Sequence, residues 1–421
     1  MALVVTKFGG TSLGSPDRIR AVARRLVARK RSGDDVVAVV SAMGHVTDEL
    51  VDLARQITPE PPDREMDMLL STGEQVSIAL LAMAIIAEGQ DAVSFTGAQV
   101  GIVTDSVHSK AKITEIRADR VREALTGGMI VIVAGFQGMT PDGTITTLGR
   151  GGSDTTAVAV AAGIGADICE IYTDVDGVYT ADPRVVPNAR KLDMLSYDEM
   201  LEMAASGAGV LQMRSVEFAR NHGVVIHCRS SFHDAPGTII KEADETMEQA
   251  IISGVTHDTS EAKVTIRDVP DTPGVAARVF THLAENNVNL DMIIQNVSEL
   301  GTTDISFTVP TDDILRAKRA VADVVSELGA REWSIDESIA KVSLVGAGMK
   351  THPGVSAKMF STLAEAGVNI DMISTSPIRI SCVISADQVG EAVRALHEAF
   401  GLSSDEVTAE TSPACGRGEA L

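Results

Sequence analysis

The sequence predicts an α/β protein: an αβα sandwich around a mostly parallel sheet, followed by two smaller βαββαβ modules. Three observations carry this. Aromatic residues make up only 3% of the 421 residues while 44% are hydrophobic, a balance that suits buried parallel strands under small-residue helices better than an all-β sandwich. Short β-rich runs at Leu3 to Val5, Val36 to Val40, Met129 to Ala134 and Ile168 to Tyr172 alternate with helical patterns over residues 1–240. Beyond residue 262 the chain repeats itself.

Each part follows from its own pattern. In the first helix Ile19, Val22, Ala23, Leu26 and Val27 share one face, and Arg20, Arg24 and Arg25 take the other, as in an amphipathic layer helix. Residues 241–262 turn acidic through Glu242, Asp244, Glu245 and Glu248 and then apolar at Ala250 to Val255, which reads as a linker and a leading strand. In the repeat, Ala262-Lys263-Val264 returns as Ala340-Lys341-Val342 at offset 78. Pro273-Gly274-Val275, Phe280, Leu283-Ala284, Asn289 and Asp291-Met292-Ile293 return at offset 80. Modules are expected at 263–335 and 336–402, each too small to bury its sheet alone and able to pair with its twin. The tail 403–421, small and polar, is expected to be disordered.

With 58 acidic residues against 36 basic ones the net charge is −22, a field that repels nucleic acid and anionic membrane. A small anion remains possible where arginine, lysine and N–H groups converge. Cys169, Cys228, Cys382 and Cys415 form no C-x-x-C, so no disulfide framework or thiolate zinc site is indicated. No basic stretch followed by an apolar one opens the sequence, so a signal peptide is not expected, and no apolar run reaches the ~20 residues that span a bilayer. The cytoplasm is the expected compartment.

Two glycine-rich junctions carry phosphate-site chemistry. Leu3 to Ser12 is a strand running through Lys7 into Gly9-Gly10, with Ser15 and Pro16 capping the next helix. Glycines let N–H groups approach phosphoryl oxygens and a lysine neutralises their charge, although an exposed turn reads equally well and no Walker A pattern is present. The strand Thr144 to Leu148 leads into Gly149-Arg150-Gly151-Gly152-Ser153-Asp154 and a helix from Thr155 to Ala162, with Ser153 as its N-cap. Three glycines around an arginine exceed what a plain connection needs, and Asp154 can organise a cation.

The loop from Tyr172 to Arg184 mixes carboxylates, an aromatic and an arginine, suited either to a nucleotide or to a solvated turn. Ser41 and Glu74 sit in further polar segments near strand ends; Glu74 reads as a first-turn acid favoured by the helix dipole, with an ammonium partner as the alternative. His222, His227 and His233 have no metal-ligand spacing. Met194, Met200 and Met203 read as core filler.

Together, Lys7 to Ser12, Val40 to Gly44, Gly149 to Asp154 and Tyr172 to Arg184 resemble the aspartate kinases of the amino-acid kinase family, and the repeated modules resemble ACT domains. The resemblance spans nearly the whole chain. It implies transfer of the γ-phosphate of ATP, bound with Mg²⁺, to the β-carboxylate of L-aspartate, the first step toward lysine, threonine and methionine. Lys7 would stabilise the transferring phosphoryl group beside Gly9 and Gly10, and Asp154 would organise Mg²⁺, with no dedicated protein metal site. Arg150 would hold the aspartate α-carboxylate, Glu74 its ammonium group, and Ser41, Thr47 and Ser153 its remaining oxygens. Thr173, Asp174, Tyr179, Asp182 and Arg184 would line the nucleotide site.

For the modules the resemblance implies inhibition by lysine, threonine or both. Their contacts would be Asp271, Gly274, Val275, Ala276, Asn289, Leu290, Asp291 and Gln295 in the first copy, and Val355, Asn369, Ile370 and Thr375 in the second. It also implies homo-oligomers through the modules and, in some relatives, a shorter regulatory subunit begun at an internal Met, here Met247. One departure stands out: Gly209 replaces a lysine that relatives often use on phosphate, which opens the alternative of a catalytically weak amino-acid sensor. A kinase of another amino acid or a nucleotide is the other alternative, and those usually lack paired modules.

Overall fold

The computed structural model describes residues 2–243, 252–295, 301–352 and 354–403. They fall into two compact units: Met1–Val178, Lys191–Ala205 and Gly209–Gln249 form the first, and Tyr179–Arg190, Ser206–Ala208 and Ala250–Leu421 the second. The segments Tyr179–Arg190 and Ser206–Ala208 thus pack with the C-terminal part of the chain although they lie within residues 1–240.

The first unit runs β1 (Leu3–Phe8), α1 (Pro16–Arg31), β2 (Asp35–Val40), α2 (Val46–Ile57), α3 (Asp63–Ala87), β3 (Ala92–Phe95), β4 (Ile102–Thr104) and β5 (Ile113–Ile116). It continues through α4 (Asp119–Thr126), β6 (Ile130–Ala134), β7 (Gln137–Met139), β8 (Ile145–Thr147), α5 (Gly152–Ile164) and β9 (Ile168–Thr173). It ends with β10 (Met194–Ser196), α6 (Tyr197–Ala205), α7 (Met213–His222), β11 (Ile226–Ser230) and β12 (Thr238–Lys241). Eight strands make the main sheet in the order β10-β12-β11-β9-β1-β2-β6-β3, parallel except where β11 meets β12. The order β5-β4-β7-β8 makes a second, small sheet.

Central strands are apolar on both faces because both are covered: Val36 to Val40 and Ile130 to Ala134 are all buried. Ser15 caps α1 by accepting from the Arg18 N–H at 3.3 Å, with Pro16 in the first turn. The face of α1 foreseen from the sequence is the buried one. Arg25, expected on the solvent side, instead turns over the Tyr172 ring at 5.0 Å and donates to the Ser231 carbonyl. Met200 and Met203 are core residues, whereas Met194 is 37% exposed and fills no core. By length and composition α3 reaches what a bilayer-spanning helix needs, contrary to the expectation that no such run exists, but it packs on α1, β3, β6 and β8 as a layer helix.

In the second unit β13 (Gly254–Asp258) precedes β14 (Glu261–Pro270), α8 (Val275–Glu285), β15 (Ile293–Gln295), β16 (Thr302–Pro310), α9 (Ile314–Leu328) and β17 (Glu332–Asp336). Then come β18 (Ile339–Val345), α10 (Val355–Glu365), β19 (Met372–Ser376), β20 (Arg379–Ser385) and α11 (Val389–Ala399). The first module is a contiguous βαββαβ with sheet order β15-β16-β14-β17. The second is not contiguous: its sheet, β13-β18-β20-β19, takes its fourth strand from β13, ahead of the entire first module. The first module is therefore inserted into the second. Ala181, Val186 and Ala189 complete the second module's core beside Val255, Leu344, Met359 and Leu363.

The repeat survives folding residue by residue, with residues 281–295 and 361–375 sharing one burial pattern. Its charges pair crosswise. Lys341 of the second module has no exposed side-chain surface and meets Glu261 at 2.6 Å and also Asp291, both from the first module. Lys263 of the first reaches Asp371 of the second. Burial opposes the Lys341 charge, but the two carboxylates outweigh it and hold its pKa above the ordinary lysine value. The expected tail beyond Ser403 and the Met247 start lie outside the described residues.

Lys341→Ala strands two carboxylates and is expected to cost about 3–5 kcal/mol in urea unfolding. Lys263→Ala, in the more exposed twin pair, is expected to cost about 1 kcal/mol or less. Equal midpoints for the two variants would contradict the assignment of the buried pair as the stronger one.

Candidate active site

The parallel strands β1, β2, β6, β9 and β11 end along one edge, where open α/β sheets place their ligands. Lys7 comes from the end of β1 and Asp154 from the first turn of α5, and their side chains meet at 2.6 Å, only 13% and 9% exposed. Gly9 and Gly10 follow. A Cβ on Gly10 would lie 2.8 Å from the Ala42 carbonyl, so only glycine lets this loop cross the turn after β2. Gly44 N–H donates to the Gly10 carbonyl at 3.0 Å and Ser41 N–H to the Phe8 carbonyl at 3.1 Å, tying the two junctions together.

Glu74 departs from its expected place. It is not a first-turn acid: α3 begins eleven residues earlier, at Asp63, and Glu74 is a buried mid-helix residue. One carboxylate oxygen accepts from the Ala42 N–H at 3.1 Å, and the other, buried, has no hydrogen-bond partner among the described residues. Burial pushes its pKa up to about 7. A half-satisfied buried carboxylate facing the Ala42 turn suits a cationic ligand. Gly73 lets α3 approach this turn, since a Cβ there would meet the Ala42 Cβ at 2.9 Å, and Thr47 stands in the adjoining first turn of α2.

The arginine loop is also rearranged relative to expectation. Helix α5 starts at Gly152, and its N-cap is Gly151 in the left-handed region (φ 67°), so Ser153 is inside the helix and caps nothing. Ser153 packs on Gly135, where a Cβ would lie 2.7 Å from its hydroxyl, and Gly149 (φ 79°) makes the other sharp bend. Arg150 is exposed at the tip of the loop. Ser41, Ser153, Glu74, Lys7 and Asp154 are thus drawn to one sheet edge. Thr173 ends β9 and Asp174 follows it, with the Thr173 hydroxyl donating to Asp174 at 3.0 Å. Tyr179, Asp182 and Arg184 belong to the second unit, where Arg184 pairs with Asp182 at 2.7 Å.

Sequence reasoning missed several supports. Phe136, between β6 and β7, holds a strained φ of 68° and packs on Gly152, and its N–H donates to Thr156. Arg214 donates to the Leu148 carbonyl at 2.8 Å and the Ala111 carbonyl at 2.6 Å, bracing the strand that leads into Arg150. Glycine pairs flag such close approaches in a sequence; a lone phenylalanine or arginine does not.

Among the expected effector contacts, Gly274 and Gly354 cap α8 and α10 in the left-handed region (φ 96° and 102°) just before Val275-Ala276 and Val355, and the Val275 N–H donates to the Thr272 carbonyl at 3.3 Å. Asp271 N–H donates to the Gly301 carbonyl, and Asn289 N–H to Asp313. Asn289 and Asp291 are exposed and Leu290 half-buried, and at the repeated positions Asn369 is exposed and Ile370 half-buried. Gln295 and Thr375 lie on the strands β15 and β19. Asp291 is engaged by Lys341.

The sequence and fold are similar to those of known proteins. The amino acid kinase family matches residues 2–230, and the ACT domain matches 267–324 and 342–400. An aspartokinase of Mycolicibacterium smegmatis is 58% identical over 411 residues, covering 96% of this chain and 98% of its own. An aspartate kinase of Pseudomonas putida is 53% identical over 405 residues, with the same coverage. Among solved structures, E. coli aspartokinase III with aspartate and ADP, in its R-state, superposes with a TM-score of 0.82 at 26% identity, covering 94% of this chain and 99% of that one.

Glu74→Gln tests the buried carboxylate. A folded-state pKa raised from 4.5 to about 7 means that the native state holds the proton over that window and loses stability as pH rises through it. The variant is expected to be more stable than the parent by about 3 kcal/mol at pH 8 and by under about 1 kcal/mol at pH 5, read from denaturant melts.

The paired Lys7 and Asp154, the glycine junctions, the half-satisfied Glu74 and the matched sequences place this chain among the aspartate kinases of the amino acid kinase family, with C-terminal ACT domains.

Proposed function

We propose that the enzyme transfers the γ-phosphate of ATP to the β-carboxylate of L-aspartate, giving 4-phospho-L-aspartate and ADP. The observation that carries this reading is the Lys7–Asp154 pair beside two glycine junctions and the buried Glu74. Aspartokinase III of E. coli has been solved with aspartate and ADP, which supports aspartate and ATP as the substrates. A β-carboxylate oxygen forms the new O–P bond while the bond from the γ-phosphorus to the bridging oxygen breaks, and the electron pair leaves on ADP. The attacking carboxylate is already ionised at neutral pH, so no general base is needed. Catalysis rests on positioning and charge.

Lys7 neutralises the transferring phosphoryl group, with Gly9 and Gly10 letting N–H groups come close. Arg150 takes the aspartate α-carboxylate as a bidentate fork. The free oxygen of Glu74 takes the ammonium group, and Ser41, Thr47 and Ser153 take what remains. Thr173 and Asp174 line the nucleotide. Asp154, beside Lys7, would hold Mg²⁺ together with the nucleotide phosphates, and the ion would neutralise phosphate charge.

Regulation follows the same reasoning. Aspartokinase III has been solved with lysine and aspartate in a T-state, and this supports lysine, alone or with threonine, as an inhibitor here. Its contacts are Asp271, Gly274, Val275, Ala276, Asn289, Leu290, Asp291 and Gln295 in one module and Val355, Asn369, Ile370 and Thr375 in the other. Homo-oligomers form through these modules, and the enzyme works in the cytoplasm.

Trapping the acyl phosphate as hydroxamate tests the reaction: product with aspartate is expected, and product with glutamate alone would overturn the assignment. Lys7→Ala is expected to lower kcat, and Arg150→Ala to raise the aspartate KM. Among the described residues no heavy atom lies within 4 Å of a Cβ built on Gly209, so the start of a side chain is accommodated there. Gly209→Lys is expected to lower the ATP KM, and an unchanged value would remove this position from the phosphate site. Titrating activity with lysine and threonine, singly and together, identifies the effector.

A further inference from the structure

Arg150 projects from a loop with glycines on both sides, a backbone that is free to move unless something holds it. The support below it is the connection between β4 and β5. A Cβ on Gly149 would lie 2.9 Å from the Ser109 carbonyl, so this connection packs directly under the bend. Ser109 itself has φ 65°, a left-handed conformation that a serine adopts only where its surroundings impose it.

Asp67 imposes it. This residue of α3 has no exposed surface. Its two oxygens accept the Ser109 N–H at 3.1 and 3.2 Å, one of them accepts the Thr147 hydroxyl at 2.6 Å, and the other meets His108 Nδ1 at 2.6 Å. Thr147 is the last residue of β8, two before Gly149. One carboxylate therefore clamps both the strand that delivers the loop and the turn beneath it. The same two segments are joined by the Ala111 N–H donating to the Thr147 carbonyl at 3.0 Å.

We infer that Asp67 is a positioning residue for substrate binding, setting the backbone from which Arg150 meets the aspartate α-carboxylate without itself touching substrate. The inference rests on the reading of Arg150 as that ligand. It explains why a carboxylate is buried with Thr147, Ser109 and His108 as its partners, at a cost that a plain apolar residue would not carry. A fork binding a carboxylate loses most of its advantage when its origin shifts by about 1 Å.

The test uses the full chain and steady-state kinetics with aspartate and ATP varied separately. Asp67→Asn is expected to raise the aspartate KM about tenfold, on the scale of one lost charge-assisted hydrogen bond, and to leave the ATP KM within about twofold. Thr147→Val, nearly isosteric, is expected to act in the same direction by about threefold, and it decides the matter if Asp67→Asn does not fold. Asp67→Asn in an Arg150→Ala background is expected to add nothing to the aspartate KM. Equal rises in both KM values, or multiplying effects in the double variant, would overturn the inference. So would an unchanged aspartate KM in Asp67→Asn and Thr147→Val while Arg150→Ala raises it, and this leaves the Arg150 reading standing. An unchanged KM in Arg150→Ala overturns that reading itself.

Discussion

A lysine at the end of a central strand has neighbours on both sides and helices over both faces, so its charge needs a partner within the protein. Asp154 is that partner, and the 2.6 Å contact explains much of the surrounding architecture. To bring Asp154 there, α5 must begin directly at the sheet edge, which requires the left-handed Gly151 and a helix of small residues such as Ala157, Ala159 and Ala161 lying flat on β1, β2 and β9. To leave space for a ligand above the pair, the chain after β1 and the chain after β2 must both be thin. Gly10 pressed on the Ala42 carbonyl makes that possible.

Helix α3 supplies the rest of the polar lining and does so with the polar side of its first half turned inward. Between Met66 and Ala87 its charged residues are Asp67 and Glu74, both buried, with Ser71 and Ser77 on the same side. Met68, Val76, Leu80, Met83 and Ile86 are left exposed. A helix normally turns its apolar stripe to the core. The second half of α3 does so with Ile78, Leu81 and Ile85, whereas in the first half Asp67, Ser71 and Glu74 are internal because they hold the turn after β2 and the connection beneath Gly149.

This inversion explains what could be read from the sequence and what could not. The strands β1, β2, β6 and β9, the capped helix α1 and the repeat obey simple periodicity and were legible. So were Lys7 and the glycine junctions, where residue type announces a backbone constraint. Glu74 was misplaced because a carboxylate before an apolar run ordinarily signals a helix start, and only tertiary packing makes it a mid-helix residue. Ser153 failed as a cap because Gly151, with its left-handed backbone, ends the loop two residues sooner. The roles of Asp67, Arg214 and Phe136 depend on partners from distant parts of the chain, and no local pattern encodes them.

The strand β13 emerges from the ribosome long before its partner: Val255 pairs with Leu344, and the whole first module lies between. At the usual ~5–20 residues per second of synthesis, β13 waits on the order of 5–20 s with the edge that pairs with β18 open. The first module, contiguous, can close during that interval. The second module can assemble only afterwards, around a neighbour that is already folded. An exposed edge strand is a hazard for aggregation, and β13 is short, with polar Thr256, His257 and Asp258 at its end, which limits that hazard while the rest of the module is made.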